Sequence, residues 1–111
     1  MSVEQNKALV RHLLEEVWRG NLDILNQHPG MHDSILFLKQ LAESVDFSKR
    51  EMVQQLTDGD WVVTRFVSAG TNIKDFMGMP VGMYVQMEMI LMHQIQNGMI
   101  VKQHAHGGRI E

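Results

Sequence analysis

Apolar residues follow a helical period in the first part of the chain and a two-residue period in the second. Leu9, Val10, Leu13, Leu14, Val17 and Trp18 recur at helical spacing and form one stripe. Ser2, with Gln5 three residues on, reads as a capping box, and Gly20 supplies a left-handed stop. Asn21 caps a second, short helix through Leu25, which Pro29 and Gly30 end. Asp33 caps a third helix, whose buried face is Ile35, Leu38, Leu41, Ala42 and Val45.

Strand signals then take over. Met52 to Leu56 predicts a short strand, and Asp58-Gly59-Asp60 a hairpin turn. The run "WVVTRFVSAG" is rich in β-branched and aromatic residues and predicts a second strand. A loop with Gly78, Pro80 and Gly82 leads to a long strand from Met83 to Gln96. Asn97-Gly98 is the strongest hairpin dipeptide, and Met99 to His106 pairs back as the last strand. Helices first and antiparallel strands second predict an α+β domain spanning residues 1–111 without a linker.

A regular two-residue turn at Asn97-Gly98 sets His93 opposite Lys102 and Leu91 opposite His104. Alternation then gives one face Met83, Val85, Met87, Met89, Leu91, His93 and Ile95, with Ile100, Lys102, His104 and His106. The other face carries Tyr84, Gln86, Glu88, Ile90, Met92 and Gln94, with Met99, Val101, Gln103 and Ala105. The first face is the more apolar, so the helices are expected to cover it. A slip of one residue in the last strand would move His104 and His106 to the other side.

Composition narrows the function classes. Apolar residues are 44% and charged residues 21% of the 111, which is ordinary for a folded domain. The formal net charge is -3 with no basic stripe, which argues against nucleic acid as a partner. No apolar run is long enough to span a membrane, and Met1 to Arg11 lacks a signal peptide's apolar core, so a cytoplasmic location is expected. Without cysteine there is no thiolate nucleophile and no cysteine-bound zinc. Of ten methionines, Met77, Met79, Met83, Met87, Met89, Met92 and Met99 crowd into one stretch. Flexible thioethers suit an irregular core or an adaptable pocket wall.

Several stretches resemble a known family. "NKALVRHLLEEVWRGNLDIL" resembles the opening of SnoaL-like proteins, the polyketide-cyclase branch of the nuclear-transport-factor-two-like superfamily. "DGDWVVTRFVSAGT", "DFMGMPVG" and "IQNGMIVKQH" resemble that family's successive sheet signatures, in order. The resemblance implies a cone: a curved antiparallel sheet wrapped around the helices, enclosing an apolar pocket, often dimeric through the sheet. It implies acid–base chemistry beside a carbonyl, as in aldol cyclisation, with no cofactor. His28 falls at the family's pocket-histidine position, and Asp75 at one that often holds an acid near the pocket mouth. The segment around "QHPG" is shorter than in relatives. The last strand also departs: an ungapped match puts His104 at the family's tryptophan and Gly108 at its acid–base aspartate.

The candidate chemistry is therefore imidazole. His104 and His106, on one face of a regular strand, are the expected acid–base groups, since imidazole titrates near neutral pH. His28, Arg65, Met87, Met89, Leu91 and His93 are the expected substrate contacts. Arg65 reads either as an anchor for an anion or carbonyl, or as a solvent-side partner of Glu88. Tyr84 could donate to a substrate oxygen or sit at an interface, and Trp61 and Phe66 read as core or interface anchors. No carboxylate is placed to complete a zinc set with the histidines, and no metal is expected. The expected partners are an apolar small molecule and a second copy of the chain, through apolar Ile90, Met92, Met99 and Val101. The opposing reading is a ligand-binding or dimerisation module that has lost the cyclase acid.

Overall fold

The computed structural model describes residues 2–110. Helix α1 (Val3–Trp18) opens on the expected capping box: the Gln5 N–H donates to Ser2 Oγ at 3.1 Å, and the Ser2 N–H to the Gln5 side chain at 2.9 Å. It closes at Gly20, with φ +95°. There the Gly20 N–H bonds the Val17 carbonyl and the Asn21 N–H that of Glu16, a Schellman pair.

The next segment differs from the sequence expectation. Two 3-10 turns, Leu22–Gln27 and Pro29–Ser34, precede α2 (Ile35–Ser44). Pro29 opens the second turn, where its fixed φ is suited to a first position. Asp33 lies inside that turn, and the cap position of α2 belongs to Ser34, whose hydroxyl is committed elsewhere. Ala42 is exposed and Val45 already lies in a strand, so the inward side of α2 is Ile35, Leu38 and Leu41.

Four antiparallel strands pair in chain order: β1 (Val45–Asp58), β2 (Trp61–Asn72), β3 (Tyr84–Gln96) and β4 (Met99–Arg109). β1 is much longer than Met52 to Leu56 because β2 pairs with it from Val45 to Asp58. Its outward positions carry Asp46, Lys49 and Glu51, which hide its alternation. Bulges in β1 at Ser48 and Val53 bend the sheet around the helices. Val10, Leu13 and Leu14 of α1, with Leu25 and Met31, pack on Val62, Leu91, Ile95 and Ile100. Fully burying each such side chain contributes about 1.5–3 kcal/mol. A polar clamp seats α1 on the sheet: Gln55 Nε2 donates to the Lys7 carbonyl and Thr64 Oγ1, while Gln55 Oε1 accepts from Arg11.

One register change decides which side chains face the helices. Asn97 and Gly98 turn with φ +53° and +73°, as the dipeptide predicts. Gln96 then pairs with Met99 and Ile95 with Ile100, but Gln94 pairs with Lys102. Val101 is the extra residue of a β-bulge. Beyond it His93 faces Gln103, Met92 faces His104 and Ile90 faces His106. The bulge is held from the helical side. A Cβ on Gly30 would lie 2.4 Å from the Val101 carbonyl carbon, so only glycine lets the second 3-10 turn lie against it. The Ile100 N–H donates to His28 Nδ1 at 3.0 Å.

Gly30→Ala is expected to destabilise the chain by about 2 kcal/mol, the scale of forced overpacking. Gly108→Ala, with nothing within 4 Å of the new Cβ, should be near neutral. Denaturant melts of both variants check this; equal midpoints would show that the bulge tolerates a side chain beneath it.

Candidate functional site

The sheet's concave face is identified by what the helices cover. Phe66 lies 5.3 Å, centroid to centroid, from Trp18 of α1, and Val62 and Thr64 are fully buried. Cross-strand pairing extends this face in rows. One row is Thr57, Val62, His93 and Gln103; the next is Gln55, Thr64, Leu91 and Ala105. Met52, Phe66, Met89 and Gly107 follow, and then Arg50, Ser68, Met87 and Arg109.

His93 sits at the closed end of this face with no exposed surface. Its Nε2–H donates to Gln103 Oε1 at 2.8 Å, and Gln103 Nε2 donates to Ser34 Oγ at 2.8 Å. The chain from Ser34 through Gln103 fixes the ring's tautomer. Nδ1 is left as a bare acceptor, buried and without a partner. Burial pushes the His93 pKa down to about 4; the Gln103 bond opposes this slightly and nearby His28 adds to it. Burial also lowers the His28 pKa. The Ile100 N–H already fills the Nδ1 lone pair of His28, so its neutral ring carries the proton on Nε2.

The sequence-predicted residues separate. His28, His93 and Leu91 are on the concave side and buried, while Met87 and Met89 are half-buried there. Met89 lies across Gly107, where a Cβ would meet its sulfur. His104 and His106 are not on this face. The Val101 bulge turns both to the convex side, where they are exposed and His104 stacks on Trp61 at 5.8 Å. Lys102 is turned out with them. Arg65 is also convex, and its guanidinium meets the Glu88 carboxylate at 3.1 Å, the cross-sheet pairing rather than the pocket anchor. Asp75 Oδ1 accepts from the Val81 N–H and so organises its own loop.

Gln103, Ser34 and Arg50 were missed. Gln103 was assigned to the opposite face by the regular register, and Ser34 was passed over for Asp33 as a cap. Arg50 lay outside the strand that the pattern predicted. Register places Arg50 on the concave face, half-buried, with its guanidinium carbon 3.6 Å from the centre of the Phe47 ring. Burial holds its pKa below the usual arginine value.

A depression of about 490 Å³ opens on the convex side around Glu88, Ile90, His106 and Ile110. Another, of about 280 Å³, lies between the two hairpin turns and Asn6. Among the described residues no His, Asp and Glu side chains group closely enough to hold a metal ion. No described helix is long and apolar enough to cross a membrane.

No family model matches the sequence, and no curated protein matches it significantly. Solved structures do match. TsrD from Streptomyces laurentii is 17% identical, with 96% of this chain and 90% of that one covered at a TM-score of 0.82. AclR from Streptomyces galilaeus is 19% identical, with 96% and 91% covered at 0.84. A SnoaL-like polyketide cyclase from Agrobacterium tumefaciens is 16% identical, with 97% and 93% covered at 0.79. The fold is therefore the one that the sequence signatures imply, a SnoaL-like cone of the nuclear-transport-factor-two-like type.

Both buried histidines bind a proton less readily folded than unfolded. Their stabilising contribution is complete above the unfolded pKa near 6.5 and is lost as pH falls below it, for His93 toward its folded value of about 4. For His93 alone the difference amounts to about 3 kcal/mol. Melting temperatures between pH 7.5 and 4.5 should fall accordingly. His93→Gln should be less stable at pH 7.5 and show a flatter acid limb. An unchanged acid limb in that variant would mean that His93 is not what acid attacks.

Proposed function

We propose that this chain binds an apolar small molecule on the concave side of its sheet, without the acid–base machinery of the cyclases. The observation that carries this reading is the half-buried apolar stretch in the middle of that face. At the hairpin end Val62, Thr64, Leu91, His93, Ile95 and Ile100 are sealed beneath the helices. Farther along, Met52, Phe66, Met87 and Met89 stay half-buried and Ala105, Gly107 and Arg109 at the β4 edge are exposed, while Ser68, Gly70, Asn72 and Val85 are buried. Apolar surface left open on a concave wall suits a ligand pocket, and its methionines can adjust to what enters. The missing acid agrees: Gly108 stands where the resemblance expects aspartate, and His104 and His106 point away from the wall.

A second reading keeps catalysis and moves it to His93. The unpartnered, tautomer-fixed Nδ1 favours this, because a neutral ring with a free lone pair can take a proton from a carbon beside a carbonyl. The substrate would have to displace the side chains that now seal that nitrogen.

One set of variants tests both readings. The neutral probe N-phenyl-1-naphthylamine should brighten with the native chain. Met89→Lys or Met52→Lys should abolish the signal, and the double change of His104 and His106 to Ala should leave it intact. Loss with the histidine variant alone would overturn the concave assignment. On the second reading, turnover of any carbonyl compound found should vanish in His93→Gln and, in the native chain, rise with pH through about 4 to a plateau.

The convex face supports a homodimer through the sheet. Leu56, Ile90 and Met99 there are 55%, 37% and 39% exposed, which is apolar surface that a symmetric partner would cover. Light scattering should give twice the chain mass, and Ile90→Asp should halve it. A native monomer at micromolar concentration would rule the dimer out.

A further inference from the structure

We infer that the ligand of the concave face carries an anionic group, and that Arg50 and Arg109 receive it from the two edges of the sheet. This rests on the concave face being the binding wall and adds the chemical class of its occupant: an apolar body ending in a carboxylate or a group of like charge.

Three observations lead there. First, Arg50 and Arg109 lie in one cross-strand row, Arg50–Ser68–Met87–Arg109, on the side of the sheet that faces α1. Three strand spacings separate their backbones, about 14 Å, so two long side chains can converge over Ser68 and Met87. Second, neither is paired with an acid among the described residues. Among the described residues the ion pairs are Lys7–Glu4, Arg19–Glu16, Lys49–Glu51 and Arg65–Glu88. The side-chain contact of Arg109 is the Met83 sulfur, at 4.0 Å. Third, Arg50 is half-buried, with its guanidinium carbon over the Phe47 ring at 3.6 Å from its centre. Stacking occupies the face of a guanidinium and leaves its N–H edge free in the plane, the geometry that takes a carboxylate with two parallel hydrogen bonds. A half-desolvated cation with unused donors attracts an anion more strongly than a solvated surface lysine does.

The neighbouring rows supply the apolar side of the match. Met52, Phe66 and Met89 form the row next to the arginines, on the way to the sealed histidine end. The ligand's apolar body would therefore point toward Phe66 and Trp18, with its charge beside the arginines. Arg65, the arginine that the sequence pattern singled out, is already neutralised by Glu88 on the convex side.

Calorimetry with octanoate and 1-octanol, the same chain with and without the charge, tests this on the full protein. Octanoate should bind about tenfold more tightly than octanol at low salt, the scale of hydrogen bonds to a charged group. The preference should shrink as salt rises. Arg50→Gln should bring octanoate down to the octanol level without changing octanol binding. Arg109→Gln should act in the same direction, and Arg50→Lys, which keeps the charge but loses the fork, should retain part of the preference. Circular dichroism confirms that each variant is folded. Equal binding of the two ligands by the native chain, or a preference that survives both glutamine variants, overturns the anion site while leaving the apolar pocket standing. Failure of both ligands to bind overturns the pocket as well.

Discussion

Placement of polar side chains in this molecule depends on one extra residue, Val101, wedged into the β3–β4 ladder. A β-sheet has a side-chain period of two, so a single inserted residue exchanges the two faces for everything beyond it. Here the exchange brings Gln103 inward and carries Lys102, His104 and His106 outward. The bulge is fixed from two directions. Gly30 lets the second 3-10 turn lie against the Val101 and Lys102 backbone, and His28 accepts the Ile100 N–H just before it. Turn, histidine and bulge form one unit, and the closed end of the cone is built on it.

That unit also explains why the buried polar groups can be tolerated. A fully buried imidazole is favourable only when neutral and hydrogen-bonded. Gln103 supplies the bond because the bulge points it inward, and Ser34 orients Gln103 because its hydroxyl is not spent capping α2. His28 is paired with β4, His93 Nε2 with β4, and Gln103 with the segment before α2. The linkage therefore ties β4 to the segment before α2 and β3 to β4, and acid that protonates the rings would loosen all of them together.

Local signals in the sequence were legible wherever the physics was local. The capping box at Ser2 and Gln5, the Gly20 stop and the Asn97-Gly98 turn each depend on neighbours a few residues apart, and each is present. The joint order of the strand signatures pointed to the cone. What could not be read was set by distant contacts. Val101 looks like any strand valine, and only its contact with Gly30 marks the bulge. β1 extends back to Val45 because β2 pairs with it, although its own charged residues suggest a loop. Arg50 and Gln103 were both lost by these two routes, one outside a strand drawn too short, the other on a face assigned one residue out of step.

The consequence is a concave face with its polarity arranged along its length. Its sheet residues are neutral imidazole and amide at the sealed end, thioether and aromatic in the middle, and guanidinium on the edge strands in the row beyond. A general acid–base site needs a titrating group that a substrate can reach, and the groups here divide otherwise. The imidazole on the wall is buried, and the exposed His104 and His106 are on the far side of the sheet. What the wall offers an incoming molecule is apolar surface bounded by positive charge. That combination would select by shape and charge without a reaction, which is why binding is the function we propose for this arrangement of side chains.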